Sequence, residues 1–473
     1  MAITDAALAK AAPAPTAGKL HKQLGTFGCL LLALSCLSPV LSIFGVGSDV
    51  LQHAGTGAAP LFLMGIGMAV LWAVVYAELG SAFPYAGGDY VGVGSVLGPW
   101  AGAGTLAIWA ANVGPSTAFQ TEIIATYVRD LAPGVPAGWV TACALAAEIA
   151  FALLAVRAGA LITGVFLCIE LIAVVVLAWV GLAHATPHGV ARAFAAPVAA
   201  GPAGLLVAPT LAALALAGVN TAYGVVGGNQ AIYFGEELID PHKRMGRVIL
   251  LACLTGAVAT AGPIILMVIG APDLAAVLKS SVPVAAFAGQ TLGPVMGKAL
   301  SAAIALAIFN ASIAQVMIYA RLYYSLGRDR VFVGPVNGLL ARVDPRSGVP
   351  WVATLVVGAL TAACCFLSSH TLLIFMSGLV VYGWGLVCLA VLVGRIRGKT
   401  GGPGFWRAPL GPLAPALGLL MAVVFAIADI ADPDAGRPSL ILMGAIAVAA
   451  ALWSRFVLER RPGGWSPTLI AHD

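Results

Sequence analysis

The sequence predicts an all-α polytopic membrane protein. It expects twelve transmembrane helices, a five-plus-five inverted repeat with two C-terminal helices, and breaks in helices one and six. Three observations predict this. Of 473 residues, 60% are hydrophobic and only 9% charged, and the mean hydropathy is +0.99; a soluble domain carries about 25% charge. The apolar residues gather into twelve stretches, each near the ~20 residues that a helix needs to cross a bilayer. Two of those stretches are interrupted by polar and helix-breaking residues at matching places, five stretches apart.

Residues 1–26 are mixed and Ala/Pro-rich and have no convincing cleavage site after them. They read as a cytoplasmic tail, not a secretory signal. The first repeat covers 27–182, with spans at 27–53, 58–81, 98–127, 137–156 and 158–182. The second covers 206–394, with spans at 206–235, 246–270, 296–325, 350–368 and 371–394. Helices eleven and twelve follow at 411–430 and 438–456, and 457–473 is a second cytoplasmic tail. The longer loops fall at 82–97, 183–205, 271–295, 326–349 and 395–410. With the N-terminus inside, only Arg129, Arg192, Lys279, Lys298 and Arg437 lie outside, and the other 19 of the 24 Lys and Arg residues lie inside. That asymmetry follows the positive-inside rule and places both termini in the cytoplasm, with the plasma membrane as the expected location. A β-barrel would show ten-residue alternating segments; these runs are apolar on every face. The eight cysteines all lie in apolar runs without CxxC spacing, so they read as buried small hydrophobes and not as disulfides or metal ligands.

Span one carries Ser38, Pro39 and Ser42 near its middle. Pro39 lacks an N–H, collides with the carbonyl of Ser35 and biases Ser38 away from helical angles. A simple kink would read the same. Span six has a clean apolar half over 206–219. It then runs Asn220-Thr221-Ala222-Tyr223-Gly224-Val225-Val226-Gly227-Gly228-Asn229-Gln230, poor material for a lipid-facing helix and good material for backbone that unwinds around a ligand. Paired interruptions in corresponding spans point to a transporter site where two inverted repeats meet.

Three motifs carry a family resemblance. After span two come Tyr76-Ala77-Glu78-Leu79-Gly80, Phe83-Pro84, Gly87-Gly88-Asp89-Tyr90 and Leu97-Gly98-Pro99. After span six comes Gly235-Glu236-Glu237-Leu238-Ile239-Asp240-Pro241-His242-Lys243-Arg244. After span eight comes Ala320-Arg321-Leu322-Tyr323-Tyr324, then Arg328-Asp329 and Val349-Pro350. Over about residues 24–395 the chain resembles the amino acid–polyamine–organocation superfamily of transporters, amino acid permeases among them. The resemblance implies a LeuT-like fold with substrate held between spans one and six. It departs from the family in span one, where Pro39-Val40-Leu41-Ser42-Ile43-Phe44 lacks the usual glycines, and in span six, where Gly227-Gly228-Asn229 replaces glycine, an aromatic and often an acid.

An α-amino acid presents a carboxylate and an ammonium. Backbone N–H groups of Val40, Leu41 and Ser42 would hold the carboxylate at a helix N-terminus, beside Ser38 and Pro39. Carbonyls near Ser35 and those of Tyr223 and Val226 would hold the ammonium. Gly224, Gly227, Gly228 and Asn229 would shape the pocket, and Tyr223 would cover it. For Tyr223 and Asn229, helix–helix packing is the plainer reading. Ionisable groups at membrane depth are functional candidates. Glu170, midway through span five, aligns with a lysine of some family members and is the candidate to sense or carry a coupling proton; a structural, hydrogen-bonded glutamic acid weighs equally. Asn310 and Ser312 of span eight would face it across an ion or substrate site, with packing as the alternative. Glu148 with Arg157 reads as structural, and Asp49 and Glu122 as vestibule groups. Glu78, Asp89, Glu236 and Glu237 with Lys243, Arg244 and Arg321 read as an inner gate network.

Enzyme signals are poor. No P-loop is present, Gly92-Val93-Gly94 lacks a βαβ context, and His184 and His188 have no third ligand, so neither a cofactor nor a metal is expected. Nucleic acid is not an expected partner; the partners are a small-molecule amino acid or amine, a proton and the lipid bilayer. The expected function is secondary active transport of amino acids or related amines with proton symport. The alternatives are uncoupled exchange and, less favoured, a non-transporting sensor. Substrate identity and oligomeric state are open at this level.

Overall fold

A computed structural model describes residues 25–85, 87–154, 159–201, 205–235, 238–332, 334–344, 349–461 and 465. Span one folds in pieces: α1 (Thr26–Leu37), α2 (Pro39–Leu41), a π-helical stretch (Ser42–Gly47) and α3 (Ser48–Ala54). After a turn at Gly55–Gly57 come α4 (Ala58–Ala82), α5 (Asp89–Leu97), α6 (Pro99–Leu131), α7 (Ala137–Leu154) and α8 (Gly159–Ala183). The next loop holds α9 (Pro187–Ala193) and a small antiparallel ribbon of β1 (Ala199–Ala200) with β2 (Leu206–Val207). The second half runs through α10 (Leu211–Val225), a 3-10 turn (Gly228–Phe234), α11 (Pro241–Gly270), α12 (Leu274–Lys279), α13 (Pro283–Leu292) and α14 (Pro294–Arg328). It continues with α15 (Gly334–Leu340), α16 (Trp351–Cys364) and α17 (Ser369–Ile396). Helices α18 (Leu413–Ala431) and α19 (Gly436–Trp453) close the chain.

The fold is thus helical, as expected. Among the described residues, six helical stretches are long and apolar enough to cross a membrane alone, and two bent pairs bring the number to eight. Twelve crossings remain the expectation of the sequence. The segments expected as loops at 82–97, 271–295 and 326–349 contain α5, α12, α13 and α15. These helices are too short to stand out as apolar spans, so hydropathy passes over them.

One corner occurs twice. Leu97-Gly98-Pro99 leads from α5 into α6, and Leu292-Gly293-Pro294 leads from α13 into α14. Gly98 has φ 117° and Gly293 φ 92°, values that favour glycine, and each proline then starts a helix at its first position. The flanks match too: Gly94 and Gly102 surround the first corner, Gly289 and Gly297 the second. A Cβ on Gly102 would sit 2.9 Å from the Gly94 Cα, and one on Gly297 would sit 3.0 Å from the Gly289 Cα. Both corners are therefore hairpins closed backbone to backbone. Helix α4 packs along α11, and α6 along α14, so the second and third long helices of one half lie against their counterparts in the other. Gly297→Val should lower stability by about 1–3 kcal/mol through overpacking, seen as an earlier melt of the purified protein. An unchanged melt would mean that the hairpin opens without strain.

Candidate functional site

The break in span one falls at Ser38, which adopts left-handed angles (φ 44°, ψ 85°). Pro39 then begins the second half-helix. The Ser38 hydroxyl caps that half-helix by accepting the Leu41 N–H at 3.3 Å, the usual work of a serine at this position. It also donates to Glu170 Oε1 at 2.8 Å, and the Val40 N–H donates to the same oxygen at 2.9 Å. The Ser42 N–H donates to the Ser38 carbonyl at 3.1 Å. The three amides expected to be open for a substrate carboxylate are therefore all engaged. Two of them are taken locally by Ser38, and the third for a tertiary reason: α8 brings the buried Glu170 carboxylate to the Val40 amide at the new helix N-terminus, where anions are favoured.

In span six, α10 stops at Val225. Val226 is extended, Gly227 takes φ 154°, and the chain resumes as the 3-10 turn with a 41° bend. A helix that stops there leaves its last four carbonyls, Tyr223's among them, without intrahelical donors. A Cβ on Gly227 would meet the Leu37 Cδ1 at 2.3 Å, so the two breaks touch there, at a φ that favours glycine.

Between them lies a cavity of about 90 Å³, smaller than the roughly 150 Å³ void that accepts benzene in an engineered core. Leu41 and Ser42 of span one and Tyr223, Gly224, Val226, Gly227 and Asn229 of span six line it. Ser38, Pro39, Val40 and Gly228 are buried but are not part of that lining. The opposite wall holds groups that the sequence reading did not single out. Gln120 of α6 donates to Gln315 of α14, whose amide also reaches the Tyr319 hydroxyl at 2.8 Å; Tyr319 in turn donates to Ser116 at 3.2 Å. Each glutamine lies 21 residues past its corner proline (99 to 120, 294 to 315), so the pair joins points at the same offset from the repeated corner. That equal offset was available in the sequence. Trp72 stacks on Trp384 at 3.8 Å. Tyr76 and Trp109 also line the cavity, and both donate to Asp89 behind them, at 2.6 and 3.1 Å. Among the described lining residues none is charged.

The remaining candidates fall elsewhere. Ser312 lies by a second buried acid, Glu148, which accepts the Thr121 hydroxyl at 3.0 Å, and among the described residues its own hydroxyl has no hydrogen-bond partner. Asn310 is half-buried nearby on α14. The inner network is built differently from the expected one. Glu78 pairs with Arg395, Asp89 binds an aromatic hydroxyl and an indole in place of cations, and Arg321 is exposed. Which neighbour a charge meets is not legible from the sequence. Glu236, Glu237 and Arg157 lie outside the described residues.

A model of the amino acid permease family matches residues 24–452. The chain belongs to the amino acid permease family. Human Asc-type amino acid transporter 1 is 26% identical over 431 residues, covering 86% of this permease and 76% of that protein. The branched-chain amino acid permease BcaP of Lactococcus lactis is 25% identical over 415 residues, covering 80% and 83%. The permease is thus a multi-pass membrane transporter of amino acids and not an enzyme.

Proposed function

We propose that the permease carries a small neutral amino acid across the plasma membrane by alternating access with proton symport, both termini lying in the cytoplasm. The repeated Leu-Gly-Pro corner and the pairing of α4 with α11 and α6 with α14 support the inverted five-plus-five arrangement. Glu170 on the break of span one carries the coupling. An ionised carboxylate offers only lone pairs, which accept the Ser38 hydroxyl and the Val40 amide. A protonated one carries a hydrogen of its own and holds those donors less firmly. The Val40 N–H is then released to a substrate carboxylate at the same helix N-terminus. One backbone donor serves either Glu170 or the substrate, and this ties proton uptake to substrate binding.

The ammonium meets carbonyls near Ser35 and those of Tyr223 and Val226, where the two helices break. The uncharged lining suits an uncharged side chain, because a buried charge needs a partner. The Lactococcus relative is named for branched-chain amino acids, and that class is uncharged as well. Glu78 with Arg395 closes the inner end of the transport path.

The deciding experiment is uptake into proteoliposomes holding no internal substrate, driven by an imposed acid-outside gradient. The wild type should accumulate neutral amino acids. Glu170→Gln should lose gradient-driven accumulation and its dependence on pH, while still exchanging labelled for unlabelled substrate. Exchange without gradient-driven uptake in the wild type would instead mark an uncoupled exchanger.

A further inference from the structure

At the end of the permease away from the Glu78–Arg395 pair, three metal-binding side chains come together from two helices. Asp49 and His53 lie four residues apart on α3, so they share one face of it. His370 is the second residue of α17. Its Nδ1 is 2.7 Å from Asp49 Oδ1, and the His53 Nδ1 is 3.4 Å from the same oxygen. The two imidazoles stack with centroids 3.9 Å apart. The other Asp49 oxygen is held by the Asn220 side-chain amide of α10 at 3.1 Å. His53 also bonds through Nδ1 to the Asp49 carbonyl at 2.8 Å, which leaves Nε2 for other work.

We propose that Asp49, His53 and His370 form a binding site for a divalent transition-metal ion such as Zn²⁺, and that the bound ion staples the outer half of span one to span ten. The donor set is chemically apt: two neutral imidazoles and a carboxylate are ligands of Zn²⁺ and its neighbours, and three protein ligands leave one position for water. The spacing is apt as well. Bonds of about 2.0–2.2 Å in a tetrahedral ion set ligand atoms roughly 3.3–3.5 Å apart, and here the three ligand atoms lie within 4.8 Å of one another. An outer-sphere partner that orients a ligand is typical of such sites, and Asn220 supplies it for Asp49. The histidine side chains are 41% and 37% exposed, so an ion reaches them and one ring has room to turn out of the stack and complete the coordination. Asp49 is buried and fixed, which supplies the rigid corner. An ion bridging α3 and α17 holds those helices together. Alternating access needs repeats and bundles to move against each other, so the staple slows the cycle. The effect on transport, and its restriction to the outer side, rest on the proposed transport reading and orientation. The binding itself does not.

The test therefore begins with binding. Titration calorimetry of Zn²⁺ into the purified, tag-free permease in detergent should give one ion per chain. His53→Ala and His370→Ala, on separate helices, should each remove that binding. Asn220→Ala should weaken it by roughly 10–100-fold, as loss of an outer-sphere partner does. A melting curve close to wild type certifies the fold of each variant, and His370→Gln replaces His370→Ala if that variant melts early. No stoichiometric Zn²⁺ binding, or wild-type affinity in both histidine variants, would overturn the site. In proteoliposomes, Zn²⁺ on the outer side should then slow wild-type exchange and leave His370→Ala unaffected. Zinc bound with no change in exchange would overturn the staple and leave the proposed transport mechanism untouched.

Discussion

Arg395→Gln should destabilise the permease by about 3–5 kcal/mol, the usual result of removing one partner from a buried ion pair. Glu78, four residues before the end of α4, has no exposed surface, and Arg395 near the end of α17 is 11% exposed. Arg395 Nε donates to Glu78 Oε1 at 2.7 Å, its NH2 group reaches Oε2, and the Ala408 N–H donates to Oε2 at 2.8 Å. One carboxylate thus joins two long helices to the segment before α18. Next to it Ser81 reinforces the joint, donating to the His242 carbonyl at 2.7 Å and accepting the Trp406 N–H at 2.8 Å. Without the guanidinium, Glu78 is a buried charge with one amide for a partner. The size of the loss comes from that stranded charge, so removing both charges should hurt less than removing one. The double variant Glu78→Gln/Arg395→Gln should recover much of the stability. Arg407→Gln, at an exposed arginine of the same segment, should stay within about 0.5 kcal/mol of wild type. Melting of the three proteins in detergent measures all of this. If Arg395→Gln melts with Arg407→Gln, the pair does not hold the inner end together.

Features set by local chemistry were legible in the sequence. The membrane class follows from composition alone, because a soluble surface cannot be made from 9% charge. The two breaks follow from Pro39 and from Gly227-Gly228, whose effects on backbone need no tertiary information. The short helices at the loops escape a hydropathy reading, since they are neither long nor uniformly apolar. The corner repeated at 94–102 and 289–297, a Gly-x-x-Leu-Gly-Pro-x-x-Gly pattern, was present in the chain, but only a direct search for self-similarity finds it. With it comes the equal offset of Gln120 and Gln315 from their corners, two polar side chains that meet across α6 and α14. Pairings between distant charges were not legible. Glu78 and Arg395 are 317 residues apart, and Asp49 and His370 are 321; loop charge says nothing about which neighbour each one meets. The same limit hid the seat of Glu170. Its depth in span five could be read, but its place on the Val40 amide, one of the three assigned to the substrate, is a matter of how α8 docks on α2.

Gly228→Ala should reduce kcat/KM for uptake by about 100-fold, the scale reached when a site is displaced by about 1 Å. A Cβ on Gly228 would stand 2.4 Å from the Cys253 nitrogen and 2.5 Å from the Ala252 carbonyl carbon. Those atoms are backbone in the middle of α11, so no side chain can swing aside to make room. The 3-10 turn must lift off the helix by roughly the overlap. Asn229 is the next residue and lines the cavity, and Gly227 just before it packs against Leu37 of span one. A displacement at Gly228 therefore reaches both sides of the cavity proposed to hold the substrate at once. The control is Gly218→Ala in α10, where the nearest atom to a new Cβ is the Leu61 Cδ2 at an ordinary 3.6 Å. Alanine should be tolerated there and add about 0.5–1 kcal/mol through its helix preference. Initial uptake rates of the two variants in proteoliposomes, each normalised to folded protein by its melt, compare displacement of the turn with an innocuous methyl group. Equal rates would mean that the close seating of Gly228 on α11 plays no part in forming the substrate site, and that the span-six break tolerates movement which the geometry says it cannot.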